Sequence, residues 1–348
     1  MFPKSTKAAI LLKQNEPLIV DDILMPDKLL VGQVLIEVIT SGICGSQLGE
    51  IAGVKGDDPF LPHLMGHEGC GNVIDIGPGV KNVKEGDRVV MHWRKGDGIQ
   101  SETPRYKWRG SLLNAGWVTT FNKYAVISEN RCTKISKDIN PSEAALFGCA
   151  VTTGFGVVEN NAKINIGESV LIFGSGGIGL NMIQASKMKS AHPIIAIDIH
   201  QSRLDLAKKI GATHIINSSI HDPREKLKKI LNEGKLDVFI DNTGIPKFIE
   251  LGYEITKPKG KIILVGVPKK ENKVNIFTLP LHFGKVFTGS YGGDCNPTED
   301  IPRYSNLLLK GKFSLNELIT NTFKLEDINK AIDNMKLGKT SGRIIVDL

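Results

Sequence analysis

The stretch that decides the fold is SVLIFGSGGIGLNMIQASKMK, which occupies residues 169–189. Its apolar start, Val170 to Phe173, predicts a short buried strand, and the spacing of apolar residues from Ile178 onward predicts a helix. A glycine-rich turn joins the two, with Gly174, Gly176 and Gly179 in the spacing GxGxxG. A strand, a glycine turn and a helix in this order predict a parallel, doubly wound α/β layer.

The glycine turn is typical of a loop that holds the pyrophosphate of a dinucleotide. The first glycine permits a tight turn, the second lets the backbone approach the phosphates, and the third lets helix and strand pack closely. The N-terminus of the following helix adds free N–H groups and a partial positive charge. We therefore predict that the cofactor is bound by Gly174, Gly176, Gly177, Ile178 and Gly179. The alternative is a glycine-rich connection that binds nothing.

A carboxylate at the end of the next predicted strand supports cofactor binding. Asp198 follows the loop by about 20 residues, the distance expected for the side chain that holds the ribose hydroxyls. Its charge would repel a 2′-phosphate, so the sequence favours NAD over NADP. His200 and Arg203 lie close by and soften that repulsion, which keeps NADP possible and makes Arg203 a candidate cofactor contact.

The rest of the chain is organised around this layer. The first 150 residues contain short strands and glycine turns, and they predict a distorted β-barrel. Within them, Val34 to Val38 is predicted as a strand, and the segment from Ser41 to Ser46 is predicted as the turn that leads out of it. Short strands then alternate with helices as far as Gly289. We predict a catalytic domain at residues 1–150, a Rossmann domain at 151–289, and a return to the first domain at 290–348.

Bulk composition excludes several classes of protein. The chain has 348 residues, of which 41% are hydrophobic and 23% charged, ordinary values for a globular protein with two cores. No apolar run is long enough to span a membrane. The formal charge of +7 comes mostly from scattered lysines, so we expect a solvated surface and no nucleic-acid partner. Five scattered cysteines argue against a disulfide framework and favour a reducing cytoplasm.

A compact set of potential metal ligands lies in the first domain. Zinc prefers thiolate and imidazole ligands, and a catalytic zinc site has three protein ligands and one open position. Cys44, His67 and Cys149 offer two thiolates and one imidazole, and Glu68 offers an adjacent carboxylate. Taken singly, each cysteine also fits a buried apolar position. Cys70 lies close to His67, but glycines place it in the next strand and we expect a buried thiol.

Several ordered motifs extend this pattern along the chain: Gly42-Ile43-Cys44-Gly45-Ser46, Gly66-His67-Glu68-Gly69, Gly86-Asp87-Arg88-Val89, Gly148-Cys149, Thr152-Thr153-Gly154 and Ser341-Gly342-Arg343. With the glycine loop, they cover essentially the whole chain, which resembles the zinc-dependent medium-chain alcohol dehydrogenases. The resemblance implies a GroES-like catalytic domain in two pieces, with the cofactor domain inserted between them. It also implies hydride transfer between a nicotinamide cofactor and an alcohol or carbonyl group.

The resemblance assigns roles to individual residues. It implies that Cys44, His67 and Cys149 bind a catalytic zinc and that Glu68 is an intermittent ligand. Ser46 matches the residue that bonds the substrate hydroxyl and starts proton release. Thr153 matches a residue beside the nicotinamide. Val265 and Val267 match backbone contacts on the nicotinamide side, and Arg343 matches an arginine near the pyrophosphate.

Two departures from the family concern the proton path and the metal content. The family commonly has an aspartate and then a histidine where this chain has Gln47 and Gly49, which puts the usual proton relay to a surface histidine in question. Glu50, the cofactor ribose or a water chain are the alternatives that the sequence leaves open. No cysteine occurs between Cys70 and Cys132, where many members hold a structural zinc, so we predict a single zinc per chain.

A basic stretch that contains two tryptophans, residues 91–110, takes the place of the structural zinc lobe. His92 and Trp93 match positions that line the substrate pocket in the family. Arg94 and Arg109 suggest an anionic substrate, such as a phosphate-bearing or nucleotide-linked sugar. The alternative is a solvated loop or a subunit contact.

The sequence as a whole predicts a zinc-dependent, NAD-linked dehydrogenase of an alcohol, polyol or sugar derivative. An alternative within enzymes is an NADPH-dependent reductase of a phosphorylated or nucleotide-linked sugar carbonyl in a biosynthetic pathway. A cofactor-binding protein without chemistry is disfavoured by the intact ligand set. We expect a cytoplasmic homodimer or homotetramer, because the family assembles through its cofactor domains.

Overall fold

The computed structural model describes residues 2–232 and 234–348, and the chain divides into two compact units. Unit 1 contains the residues up to Cys149 together with Asn296–Leu348, and unit 2 is Ala150–Cys295. The sequence analysis predicted that the Rossmann domain ends at residue 289, whereas unit 2 continues to Cys295. The later boundary has a local cause, because the turn at Gly292–Asp294 belongs to unit 2, where Asn160 Nδ2 donates to the Gly293 carbonyl at 2.9 Å.

The described residues form strands and helices in the following chain order. The strands are β1 (Ser5–Leu11), β2 (Ile19–Leu24), β3 (Gln33–Ile43), β4 (His63–Leu64), β5 (Glu68–Ile76), β6 (Arg88–His92), β7 (Tyr106–Trp108), β8 (Ser111–Leu113), β9 (Tyr124–Ser128), β10 (Cys132–Lys134), β11 (Val170–Phe173), β12 (Ile194–Asp198), β13 (His214–Asn217), β14 (Leu236–Asp241), β15 (Thr256–Leu264), β16 (Val286–Gly289), β17 (Ile319–Lys324) and β18 (Arg343–Asp347). The helices are α1 (Gly45–Ile51), α2 (Pro141–Ala145), α3 (Ala150–Gly156), α4 (Gly177–Met188), α5 (Gln201–Ile210), α6 (Pro223–Ile230), α7 (Pro246–Ile255), α8 (Leu279–His282), α9 (Pro297–Leu309) and α10 (Ile328–Lys336).

Unit 1 is built from two sheets that together form the predicted barrel-like domain. The five-stranded sheet has the order β4-β1-β2-β7-β8, and the seven-stranded sheet has the order β10-β6-β5-β3-β18-β17, with β9 paired to β3. Strand β18 from the C-terminal segment runs antiparallel to β3, so the last part of the chain completes a sheet begun by the first. Apolar side chains of alternating strand positions form the core, among them Ile36, Val38, Val89 and Ile127.

The prediction of a turn from Ser41 to Ser46 was wrong. Strand β3 continues through Ile43, and helix α1 begins two residues later at Gly45. The strand extends this far because β18 pairs with it, placing Ile344 opposite Ile43 and Val346 opposite Ser41. That pairing joins segments far apart in sequence, so local turn chemistry could not reveal it.

Unit 2 is a six-stranded sheet of order β13-β12-β11-β14-β15-β16, and every pair in it is parallel. This confirms the doubly wound Rossmann prediction. The central strands β11 and β12 are almost entirely apolar, as expected where helices cover both faces of a sheet, and Leu171, Phe173 and Phe239 are at most 2% exposed. The strand order reverses between β11 and β14, and ligands of such sheets bind at the carboxyl ends of the strands beside that point.

Among the described residues, no helix combines the length and the apolar character needed to cross a membrane.

Candidate metal centre and cofactor loop

The predicted metal ligands come from three separate segments of unit 1. Cys44 lies between β3 and α1, His67 immediately precedes β5, and Cys149 follows a short 3₁₀ turn at Leu146–Gly148. The ligand atoms of these three residues lie within 4.8 Å of one another. Cys70 stands outside this cluster, buried in β5, and burial raises the pKa of its thiol to about 11. The structure thus brings the three predicted ligands together and leaves Cys70 as an unreactive thiol.

The geometry of the cluster fits a zinc ion. The sulfur atoms of Cys44 and Cys149 are 3.9 Å apart, and two thiolates bound to one tetrahedral zinc would be about 3.8 Å apart. His67 Nε2 is buried and has no hydrogen-bond partner in the described structure, which is rare for a buried polar atom. The hydrogen bond from Cys149 outweighs burial and lowers the pKa of the Cys44 thiol well below its ordinary value. This favours the thiolate form that binds metals.

The glycines of the motifs make room for Glu68 beside this cluster. A Cβ on Gly42 would lie 2.6 Å from Glu68 Oε1, and one on Gly148 would lie 2.7 Å from Glu68 Cα. Gly66 has φ +93, and a Cβ there would lie 2.3 Å from Thr120 Oγ1. A side chain at Gly42 or Gly148 would displace Glu68, and one at Gly66 would displace the segment at Thr120.

Glu68 forms a buried ion pair with Arg343. Their side chains are 0% and 3% exposed, and Glu68 Oε1 lies 3.1 Å from Arg343 Nη1, which also donates to the Ile43 carbonyl at 3.0 Å. Burial lowers the pKa of Arg343, but the negative charges of Glu68 and the two cysteines outweigh it and raise the pKa above its ordinary value. Sequence reasoning assigned Arg343 to the cofactor and missed this ion pair, because no local signal links the start of β18 to the start of β5.

Helix α1 carries Ser46 next to the metal centre. Ser46 is exposed, whereas the next residue, Gln47, is buried. The Cys44 backbone N–H donates to Gln47 Oε1 at 2.7 Å, so this amide holds the backbone of a metal ligand. Ser46 is therefore available to a substrate, and Gln47 serves as a fixed cap of α1.

The predicted substrate-pocket residues lie at the end of β6, where His92 pairs with Glu68 across the sheet. His92 is 1% exposed, and its ring nitrogens lie 2.7 Å from the Arg94 carbonyl and 2.9 Å from Thr133 Oγ1. Burial lowers its pKa to about 4. His92 is thus a neutral structural residue whose nitrogens are occupied, and Trp93 is the more accessible of the two.

The two arginines proposed for anion binding lie in different surroundings. Arg109 pairs with Asp21 at 3.2 Å and stacks on Trp108 at 4.4 Å, in the hairpin of β7 and β8. Arg94 follows β6 directly and lies over the Trp93 ring at 5.9 Å. The structure therefore separates them, and only Arg94 shares a strand end with the predicted pocket.

The glycine loop of unit 2 has the geometry that its sequence predicts. Gly174 has φ +96, and a Cβ on Gly179 would lie 2.1 Å from the Gly174 carbonyl oxygen. By contrast, a Cβ on Gly176 would meet nothing within 4 Å, so this glycine faces open space where a ligand can approach. Gly177 and Ile178 begin α4, whose first N–H groups have no side-chain cap. These features fit a pyrophosphate at the helix N-terminus.

Asp198 lies at the carboxyl end of β12, beside this loop. The backbone N–H groups of Ser175 and His200 donate to its two carboxylate oxygens at 2.8 and 3.0 Å. Arg203 Nη1 lies 3.8 Å from the same carboxylate. The loop, the carboxylate and the arginine are thus brought together as predicted.

The predicted nicotinamide contacts also lie in unit 2. Thr153 on α3 is 4% exposed, and its hydroxyl has no hydrogen-bond partner among the described residues. Val265 and Val267 follow β15 at the carboxyl edge of the sheet, where the Val265 N–H donates to the Asp241 carbonyl at 2.8 Å. Val267 is 56% exposed.

Comparison with known proteins agrees with both units. A family model described as "Alcohol dehydrogenase GroES-like domain" matches residues 31–137, and one described as "Zinc-binding dehydrogenase" matches residues 177–310. S-(hydroxymethyl)glutathione dehydrogenase of Escherichia coli O139:H28 is 31% identical over 371 aligned positions, covering 98% of this chain and 99% of that protein.

Two crystal structures with similar folds cover the chain from end to end. Benzyl alcohol dehydrogenase from Acinetobacter calcoaceticus has a TM-score of 0.89 at 28% identity, covering 99% of this chain and 100% of its own. An alcohol dehydrogenase zinc-binding domain protein from Burkholderia ambifaria has a TM-score of 0.90 at 28% identity, covering 99% of both chains.

These relatives confirm the predicted fold and the predicted reaction class of a zinc-dependent oxidoreductase that acts on CH–OH groups. They do not favour the alternative of a reductase of phosphorylated or nucleotide-linked sugars. The chain belongs to the zinc-dependent medium-chain alcohol dehydrogenase family.

Proposed function

We propose that this chain is an NAD-dependent dehydrogenase of a polyol, a sugar derivative or a similar small alcohol, with one zinc ion held by Cys44, His67 and Cys149. The observation that carries the proposal is the approach of two thiols and an imidazole to within 4.8 Å, with a buried imidazole nitrogen that has no partner. A zinc ion bound there would act as a Lewis acid that lowers the pKa of a substrate hydroxyl. The nicotinamide would exchange a hydride with the substrate carbon.

The residues around this centre have separate tasks in the proposal. Ser46 is exposed on α1, and its hydroxyl can accept the proton of a substrate hydroxyl while donating its own. Glu68 is held by Arg343 beside the cluster, where it can serve as the intermittent ligand. In unit 2, the unpartnered hydroxyl of Thr153 can bond the substrate or the nicotinamide amide.

We propose NAD as the cofactor because Asp198 presents a carboxylate beside the glycine loop, where it would repel a 2′-phosphate. Arg203 lies 3.8 Å from that carboxylate and weakens the repulsion, so we expect a preference and not an absolute choice. Asp198→Ser should raise the kcat/KM ratio of NADPH to NADH by at least about tenfold, which corresponds to about 1.4 kcal/mol. Asp205→Asn, on the exposed side of α5, is the matched control and should leave that ratio unchanged.

The metal assignment is tested by measuring zinc and turnover in the same preparations. Wild-type protein should bind one zinc per chain and reduce NAD with one or more members of a panel that contains benzyl alcohol, S-hydroxymethyl thiols, polyols and sugar phosphates. Cys149→Ser should lose zinc and turnover together. Cys132→Ser changes a buried thiol of unit 1 outside the cluster and should keep both. Turnover that persists in zinc-free Cys149→Ser would refute the proposal.

Of the two arginines considered for binding an anionic substrate, the structure favours Arg94 over Arg109. Arg94 follows the strand that faces Glu68, whereas Arg109 is paired with Asp21. Arg94→Ala should therefore raise KM for anionic alcohols and leave KM for benzyl alcohol unchanged, and Arg109→Ala should change neither. An equal rise for neutral and anionic alcohols in Arg94→Ala would exclude charge recognition by this residue.

We also propose that the chain forms a homodimer or homotetramer in the cytoplasm. Strand β16 ends the order of the Rossmann sheet, and Phe283 and Tyr291 at its two ends are 65% and 66% exposed. An exposed strand edge flanked by aromatic residues is suited to pairing with a second copy. Light scattering should show an oligomer that Val286→Lys dissociates. The five free, buried cysteines support a reducing compartment.

A further inference from the structure

A second cluster of titratable groups lies in unit 1, next to the helix that carries Ser46. It contains Glu50 from α1, Asp58 from the following loop and His63 from β4. His63 Nε2 lies 2.9 Å from Asp58 Oδ2 and 3.8 Å from Glu50 Oε1. His63 and Asp58 are mostly buried, whereas the Glu50 side chain is 44% exposed. The cluster therefore links a buried imidazole to the surface through one carboxylate.

Partners of both ring nitrogens fix the orientation of the His63 imidazole. Nδ1 lies 2.8 Å from the Leu64 carbonyl, which only accepts, so Nδ1 keeps its hydrogen. The remaining nitrogen, Nε2, faces the carboxylates of Asp58 and Glu50. Among the described residues, these two carboxylates are the ion-pair partners of His63.

Helix α1 leads from Ser46 to this cluster. Ser46 and Glu50 are four residues apart and both exposed, so they lie on the same face with about 5–6 Å between their Cβ atoms. One water molecule bridges such a gap. Gln47 is a buried amide that caps the helix, and Gly49 has no side chain. Glu50 is consequently the titratable side chain that α1 offers next to Ser46.

We propose that Glu50 carries away the proton that alcohol oxidation releases at Ser46, with His63 and Asp58 as positioning residues that hold the Glu50 carboxylate in place. This inference rests on the proposed function. Oxidation breaks the C–H bond, whose electron pair NAD takes up as hydride, and the O–H bond, whose proton must leave. That proton passes to Ser46 Oγ as the hydroxyl of Ser46 gives its own proton to Glu50. Glu50, whose side chain is 44% exposed, then gives the proton to water at the surface.

The chain supplies two informative variants and a matched control. Glu50→Gln keeps the size of the side chain but cannot hold a proton, and it lies at a partly exposed position that tolerates replacement. His63→Gln removes the imidazole. Asp57→Asn changes an exposed neighbouring carboxylate that lies outside the cluster. All four proteins are compared by zinc content, by tryptophan fluorescence and by kcat for alcohol oxidation as a function of pH.

We expect kcat near neutral pH to fall at least about tenfold in Glu50→Gln and His63→Gln, the smaller end of what a positioned acid or base contributes. Zinc content should not change, the fall should shrink as pH rises because hydroxide replaces the relay, and rising concentrations of an amine buffer should restore turnover. Asp57→Asn should behave as wild type.

Other results of the same experiments would overturn the proposed relay. A loss that is independent of pH and not restored by buffer would mean that the cluster is only structural. Two zinc ions per wild-type chain, with one lost in His63→Gln, would make the cluster a metal site and overturn the relay. An inactive wild type would instead refute the proposed function, so the two failures are distinguishable.

Discussion

The ion pair between Arg343 and Glu68 allows a stringent test of how the metal centre is held. Replacing Arg343 by Met removes a guanidinium that is 3% exposed and leaves Glu68, which is 0% exposed, without the partner 3.1 Å away. The same change removes the hydrogen bond to the Ile43 carbonyl. Breaking a buried pair from one side typically costs about 3–5 kcal/mol, because the charge that remains stays desolvated. We expect the free energy of unfolding of unit 1 to fall by that amount.

The three tryptophans, Trp93, Trp108 and Trp117, all belong to unit 1. Their fluorescence during urea denaturation therefore reports on this unit alone, and a metal chelator keeps the protein zinc-free so that no bound cation compensates Glu68. The double variant Arg343→Met with Glu68→Gln removes the stranded charge, so it should recover about 2 kcal/mol relative to Arg343→Met.

The matched control for this test is Arg109→Met. It breaks an ion pair of nearly the same length, 3.2 Å, in which the side chains are 67% and 37% exposed. Exposed ion pairs contribute little to stability because water and salt screen them. We therefore expect no clear decrease in the free energy of unfolding of Arg109→Met. A loss in Arg343→Met no larger than that in Arg109→Met, or a double variant no more stable than the single one, would refute the reasoning.

Three further predictions concern other parts of the molecule. Gly179→Ala should destabilise unit 2, because the added Cβ would lie 2.1 Å from a backbone oxygen. Gly176→Ala should weaken only NAD binding, because its Cβ meets nothing within 4 Å. Thermal melts followed by circular dichroism measure the first effect, and calorimetric titration with NAD measures the second. Lys285→Met should cost about 2 kcal/mol in thermal unfolding, because the ammonium group donates to two backbone carbonyls at 2.7 Å each. Burial raises the pKa of Asp87, but hydrogen bonds from Lys134 and a backbone N–H outweigh it and hold the pKa below its ordinary value of 3.8. A lowered folded-state pKa contributes stability above the unfolded-state pKa, so Asp87→Asn should reduce stability at neutral pH. In urea titrations the difference should begin to shrink near pH 3.8 and disappear only at lower pH, below the folded-state pKa.

Local sequence determined the parts of this protein whose geometry depends on neighbouring residues. The glycine loop was predictable because a turn between a strand and a helix needs Gly174 at φ +96 and Gly179 against a backbone oxygen, and both demands fall within a few positions. Helix α5 ends at Ile210 and is followed by Gly211, where φ is +146. The clustering of Cys44, His67 and Cys149 was predictable from residue type and motif order.

The tertiary structure decided what depends on contacts between distant segments. Strand β3 runs on through Ile43 because β18 pairs with it, and that pairing brings Arg343 to Glu68. His63 entered no sequence argument, because one histidine in a strand is unremarkable until folding places it beside Glu50. Motifs thus predicted the cluster of potential metal ligands and the cofactor loop, whereas the buried ion pair and the candidate proton path arise only when long-range strand pairing brings these charges within 4 Å.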